Sequence, residues 1–237
     1  MGCWSPVDAM KAYLRTLQLC EEFYEYYEEE EVGIEPMCVE YISALAAGNR
    51  ARVMVDVEPG GMSPSVIALA AAARQTGGRV VCVRREQEAG ELLRRQAEGL
   101  GLADVVECRV AGRPGEAVER LRGVDFAVVD RGMGEEDCEE TVAAVDAGPR
   151  GAVVVVSNLF DGGRRSPAQA PPAGGRTRVQ MRGRSSSVVL PFGGGMEVIR
   201  IVGRRGDGDG GRRGKRRTFV VYYEDRETVH EDCVDLE

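Results

Sequence analysis

Five short runs of β-branched, almost wholly apolar residues dominate the chain from Val53 onward: VMVDV (53–57), VVCV (80–83), VVECRV (105–110), FAVVD (126–130) and AVVVVS (152–157). Their starts lie 27, 25, 21 and 26 residues apart. Helix-patterned stretches fill the gaps, at Pro64–Thr76, Gln87–Gly99, Pro114–Leu121 and Glu135–Asp146. A strand with one wet face alternates apolar and polar residues. These runs do not alternate, so both faces are expected to be covered, as in parallel strands joined by helical crossovers. Right-handed crossovers then predict a doubly wound, Rossmann-like α/β fold: a mostly parallel sheet with helices on both faces.

Beyond Phe160 the pattern breaks. Residues 161–187, rich in Gly, Pro, Arg and Ser, predict a flexible loop. SVVLP (187–191), the turn Phe192-Gly193-Gly194-Gly195 and MEVIRIV (196–202) predict an antiparallel hairpin closing the sheet. At the other end, Ser5 suits an N-cap, Pro6 suits the first helical position and Asp8 completes a capping box. Met10, Tyr13, Leu14, Leu17 and Cys20 or Phe23 recur at helical spacing and predict the packed face of a first helix. A second short helix is expected over Cys38–Ala47. The chain is thus divided into 1–36, an N-terminal helix with an acidic stretch; 37–203, the α/β domain; and 204–237, a basic Gly/Arg loop, a candidate strand at 218–224 and an acidic tail.

At 237 residues the chain can bury one sizeable core. No apolar stretch approaches the ~18 residues a membrane span needs, and no secretory signal is read at the N-terminus. Seven cysteines, scattered and never in a C-x-x-C pair, read as reduced thiols of an intracellular, cytoplasmic protein. His230 is the only histidine and sits in the charged tail, which sets aside His-based relays and His-ligated metals. The net charge of −8 hides a basic segment, 204–217, with seven bases against two acids. No aromatic residue is interleaved with those bases and the domain is acidic overall, so nucleic acid is disfavoured as a partner. The acidic ends of the chain suffice to neutralise a solvated loop.

Ligands of doubly wound sheets bind outside the carboxyl ends of the strands. The first strand ends Asp56-Val57-Glu58 and runs through Pro59-Gly60-Gly61-Met62 to Ser63, which caps a helix with Pro64 at its first position. Gly60 and Gly61 let a ligand approach the backbone, and the helix start offers N–H groups to a carboxylate or phosphate. The same sequence also fits a tight turn that binds nothing. The second strand ends Val83-Arg84-Arg85-Glu86, with Arg84 where a ribose-binding acid is expected and Glu86 two residues later. The fourth ends at Asp130 and the fifth at Ser157-Asn158. A lone carboxylate beside an amide is thin for Mg²⁺, so no metal is expected.

In the order of these segments the chain resembles class I S-adenosylmethionine (SAM)-dependent methyltransferases, nearest the caffeoyl-CoA/catechol O-methyltransferase type. Val53–Val57 with Gly60-Gly61 resembles motif I, FAVVD the fourth-strand motif, VVVVSN (153–158) the fifth, and VVLPFGGGMEV (188–198) the closing hairpin. WSPVDAMKAYLRTL, YISALAAGN (41–49) and AAARQTGGRVVCV (71–83) resemble a plant family of methyltransferase-like proteins with a domain of unknown function. The resemblance spans roughly residues 4–202 and implies SAM as cofactor, held by Asp56, Gly60, Gly61, Ser63 and, reaching back to the ribose, Glu86. It implies Asp130 as the one in-motif candidate base. Several positions depart from the pattern. Glu58 stands where the glycine turn starts, Arg84 replaces the ribose acid, and Ser157 replaces the second metal-ligand aspartate. Two readings follow: a methyltransferase acting on a small molecule, or a catalytically silent SAM-fold module that binds a ligand or protein. A homo-oligomer fits either.

Overall fold

The computed structural model describes residues 4–27, 36–159, 185–191, 194–203, 217–225 and 228–236. Most of the sequence-predicted loop at 161–187 and nearly all of the basic segment at 204–217 lie outside them. The chain divides into two units, Met1–Arg204 and Arg205–Glu237.

In the first unit the strands are β1 (Val53–Val57), β2 (Arg79–Arg84), β3 (Val106–Val110), β4 (Phe126–Asp130), β5 (Ala152–Ser157), β6 (Ser185–Leu190) and β7 (Met196–Ile201). They form one sheet in the order β3-β2-β1-β4-β5-β7-β6. The first five are parallel, and β7 runs antiparallel between β5 and β6. This is the mixed, mostly parallel α/β architecture predicted from the apolar runs, with the expected closing hairpin. The order reverses between β1 and β4, which places the switch-point crevice at their carboxyl ends.

The helices of this unit are α1 (Pro6–Tyr27), α2 (Pro36–Gly48), α3 (Pro64–Thr76), α4 (Gln87–Gly99), α5 (Pro114–Glu119) and α6 (Glu135–Ala143). Alternation along each strand sorts side chains into two cores. Met54, Val80, Cys82, Phe126, Val128, Val153 and Val155 pack beneath α3 and α4 with α1 and α2 outside them. Val55, Val57, Val81, Val83, Ala127, Val129, Val154 and Val156 pack with Val118 of α5 and Val142 of α6. The helices α5 and α6 stop short of the sequence pattern. The N–H groups of Leu121 and Val145 bond Val118 and Val142 three residues back, the tighter turn that ends a helix.

The first helix packs on a face the sequence did not predict. Its buried residues are Ala9, Ala12, Thr16, Leu19 and Phe23, whereas Met10 and Leu14 are 58% and 52% exposed and Tyr13 and Leu17 are also exposed. Of the predicted stripe only Phe23 is buried and Cys20 half-buried. Small side chains at 9, 12 and 16 let α1 lie close on α2 and α3, and that close packing outranks the bulk of the other stripe.

In the second unit β8 (Arg217–Asp225) pairs antiparallel with β9 (Thr228–Leu236), so the acidic end of the chain is a strand. No helix among the described residues is long and apolar enough to cross a membrane.

Between α3 and β2 the chain turns within two glycines. Gly77 takes the left-handed conformation, φ 66°, that caps α3. Gly78 lies against β1's entry, where an added Cβ would sit 2.6 Å from the Arg52 carbonyl oxygen that accepts the Arg79 N–H. Gly78→Ala is therefore expected to destabilise the fold by about 1–3 kcal/mol through overpacking, measured by urea unfolding; a neutral effect would show that β1 and β2 can part at this end.

Candidate functional site

The parallel register turns separate sequence positions into one row. Val57 pairs with both Val83 and Val129, and Asp130 pairs with Ser157. One residue past Val57, Glu58 therefore stands between Arg84 and Asp130, and the row Arg84, Glu58, Asp130, Ser157 lines the carboxyl edge. With period two, Asp56 lies directly below Glu58 on the face that carries Met54.

Arg84 points inward and is 0% exposed. Its Nη1 lies 2.9 Å from Asp56 Oδ2, and Asp56 is 1% exposed. Its Nη2 lies 3.2 Å from Glu58 Oε1. Nε and Nη2 donate to the Gly61 carbonyl at 3.2 and 2.9 Å, and Nη1 donates to the Val83 carbonyl at 3.1 Å. The guanidinium fork is thus spent on two carboxylates and two backbone oxygens of its own chain. Asp56 Oδ1 also accepts from Ser65 Oγ at 2.5 Å, and Ser65 Oγ lies 2.8 Å from Ser63 Oγ.

The loop is closed from the other side by α4. Met62 N–H donates to Gln96 Oε1 at 2.9 Å, and Gln96 is buried. A Cβ at Gly61 would meet Gln96 Oε1 and Leu92 Cδ2 at 2.8 Å. At the helix start, Val66 N–H donates to Ser63 Oγ and Ile67 N–H to the Ser63 carbonyl. The Met62 and Val66 amides are thus bonded within the chain.

Two carboxylates share one guanidinium here. Burial, together with the neighbouring charges of Asp56 and Asp130, pushes the Glu58 carboxyl up to about 8, while Arg84 and the Ser63 hydroxyl pull it down. Burial works against charge on Arg84 too, but Asp56 and Glu58 more than offset it and hold the guanidinium protonated.

The remaining sequence-predicted residues fall in two places. Gly60 is exposed at the loop, and Glu86 is exposed at the start of α4, where its side chain makes no capping bond. Asp130 is half-buried, and its Oδ1 accepts from Gly132 N–H at 2.8 Å and from Asn158 Nδ2 at 2.9 Å. Asn158 holds φ at 58°, which an Asn side chain tolerates. The structure therefore brings Asp56, Gly61 and Ser63 together around Arg84, sets Asp130 beside Glu58, and leaves Glu86 outside the cluster. Sequence reasoning missed Ser65, Gln96 and the joint role of Glu58 and Arg84. The last depends on the register that pairs Val57 with Val83, one residue before Glu58 and Arg84. A cavity of about 330 Å³ lies elsewhere, lined by Arg109, Val110, Ala111, Glu116, Ala117 and Arg120. Among the described residues no three His, Cys, Asp or Glu side chains form a group that could hold a metal.

A family described as a protein of unknown function, DUF1442, matches residues 2–232. The chain belongs to the DUF1442 family. No curated protein matches it. Its sheet is similar to that of solved methyltransferases at low identity. A Podospora anserina methyltransferase bound to S-adenosylhomocysteine (SAH) is 14% identical with a TM-score of 0.57, covering 79% of this chain and 87% of its own. The O-methyltransferase TomG from Streptomyces achromogenes, in complex with SAM, is 21% identical with a TM-score of 0.51, covering 81% and 90%. A Bacillus cereus O-methyltransferase in complex with SAH is 16% identical with a TM-score of 0.52, covering 84% and 98%. At these identities the likeness is one of fold.

At the strand edge of this DUF1442 chain β2 ends in Arg84 and not in an acid, and that arginine binds the Asp56 carboxylate.

Two measurements test the cluster. Arg84→Met leaves buried Asp56 and half-buried Glu58 without their cation and is expected to cost about 3–5 kcal/mol in urea unfolding. The raised pKa of Glu58 stabilises the fold below the ordinary carboxylate range, and this contribution is lost as pH rises through about 8. Glu58→Gln removes that dependence. Its stability relative to the unaltered chain should rise between pH 5 and 9; parallel pH profiles for the two chains would show that Glu58 ionises normally.

Proposed function

We propose that this chain is a catalytically silent methyltransferase-fold module, one that acts by binding and does not transfer methyl groups. The observation that carries this reading is the Arg84 fork, fully buried between Asp56, Glu58 and the Gly61 carbonyl. A ribose at the end of β2 needs a hydrogen-bond acceptor, and Arg84 is donor-only. Opening the fork to admit a nucleoside would strand the buried Asp56 carboxylate and leave half-buried Glu58 without its cation, which is costly.

A second reading has one observation in its favour. Asp130, anchored by Gly132 and Asn158, remains half-buried at the carboxyl edge, where a small hydroxyl acceptor could reach a base. In that reading SAM is held by Asp56, Gly60, Gly61, Ser63 and Glu86 after the fork rearranges.

Thermal unfolding with SAM or SAH separates the two. A ligand at ~100 times its dissociation constant adds about 2.7 kcal/mol, a rise of roughly 5–10 °C for a chain this size. The silent reading expects no rise at millimolar SAM or SAH. It also expects a rise once Glu58→Gly and Arg84→Glu together restore the glycine turn and the acid. A rise in the unaltered chain, weakened by Asp56→Ala, would overturn it in favour of the methyltransferase.

A further inference from the structure

The bulky stripe on α1 that turns away from the core is regular. Val7, Met10, Leu14, Leu17 and Tyr24 are all exposed, and with Glu21 they alternate three and four residues apart. That 3-4 spacing makes a continuous seam along one side of a helix, the pattern by which two helices interdigitate. The opposite side of the same helix already packs inside the chain through Ala9, Ala12, Thr16, Leu19 and Phe23. A row of large apolar side chains left in water on a helix that is otherwise satisfied marks a contact surface.

Charge along the seam selects the occupant. Lys11 stands beside Met10 in the N-terminal half, while Glu21, Glu22 and Glu25 stand in the C-terminal half. Arg15, between them, already reaches Glu22 of its own helix at 3.2 Å. A second copy of α1 laid antiparallel, centred between Leu14 and Leu17, sets Leu14 against Leu17, Val7 against Tyr24, and Met10 against Glu21. Lys11 then lies beside the second copy's Glu21, which accounts for an acid at a seam position. Parallel pairing would instead set Glu21 against Glu21, two like charges within the seam. An anionic membrane would be repelled by the acidic half.

We propose that this face of α1 is a self-association surface, on which two copies of the chain pair through antiparallel α1 helices about a two-fold axis. The surface lies apart from the Arg84 cluster, so the proposal stands whether or not SAM binds.

Sedimentation equilibrium of the full chain over a concentration series is expected to give a mass rising to twice the 25.7 kDa of one chain. Leu14→Glu alters a side chain exposed in the single copy. It should leave the circular dichroism spectrum unchanged while returning the mass to that of one chain. Lys11→Glu should weaken association at least roughly tenfold, and adding Glu21→Lys should restore it. For orientation, a mixture of Val7→Cys and Tyr24→Cys chains should form an intermolecular disulfide that neither forms alone. A single-chain mass at every concentration overturns the proposal. So does a doubled mass indifferent to Leu14→Glu, or a Val7→Cys chain that links to itself. Recruitment to phosphatidylcholine vesicles lost in Leu14→Glu, with no change in mass in solution, would assign the face to a membrane and equally overturn it.

Discussion

A charge buried at the carboxyl edge of a parallel sheet must find its counter-charge inside the chain, and this constraint shapes the middle of the molecule. Arg84 has no access to water, so Asp56, Glu58 and the Gly61 carbonyl must serve it together. The loop after β1 is drawn down onto β2 as a result. Gln96 then reaches the Met62 amide, and Leu92 and Gln96 pack against Gly61. Each contact uses a group that would otherwise face the crevice.

Glu58 after β1 and Arg84 at the end of β2 are partners in one interaction seen from two strands. An acid placed at Glu58 without a cation opposite would be a costly buried charge, and an arginine at 84 without acids opposite would be the same. Together they form an ion-paired network with an excess of one carboxylate. That excess is why burial and the charge of Asp56 press Glu58 toward its protonated form. Fold survives such an exchange because the sheet's cores lie below the edge, in Met54, Val80, Phe126 and their neighbours. What changes is the surface offered to a ligand.

The first helix shows the same separation of fold from use. Packing of α1 needs only small residues at 9, 12 and 16 with Leu19 and Phe23 beyond them. The larger side chains Val7, Met10, Leu14 and Leu17 on its other side are exposed in the single chain.

The boundaries of β1, β4, β5, α3 and α4 were legible in the residues alone, because β-branched apolar runs, Ser-Pro caps and Gly-Gly ends are local signals with local causes. The mostly parallel, doubly wound sheet with its closing hairpin was also legible, while the order of its strands came only from the structure. Asp56, Gly61 and Ser63 were legible as an edge cluster for the same reason. Local signals do not carry partnership. Whether Arg84 turns out toward a ligand or in toward Asp56 depends on the register of two strands whose paired residues lie 26 positions apart in sequence, Val57 on Val83. Which of α1's two stripes is buried depends on how closely α2 and α3 can approach its backbone. The sequence by itself determined where the strands and helices run and that charges gather at one edge. Only the tertiary structure decided which charges meet and which helix face goes to water, since those are properties of distances between segments and not of any segment alone.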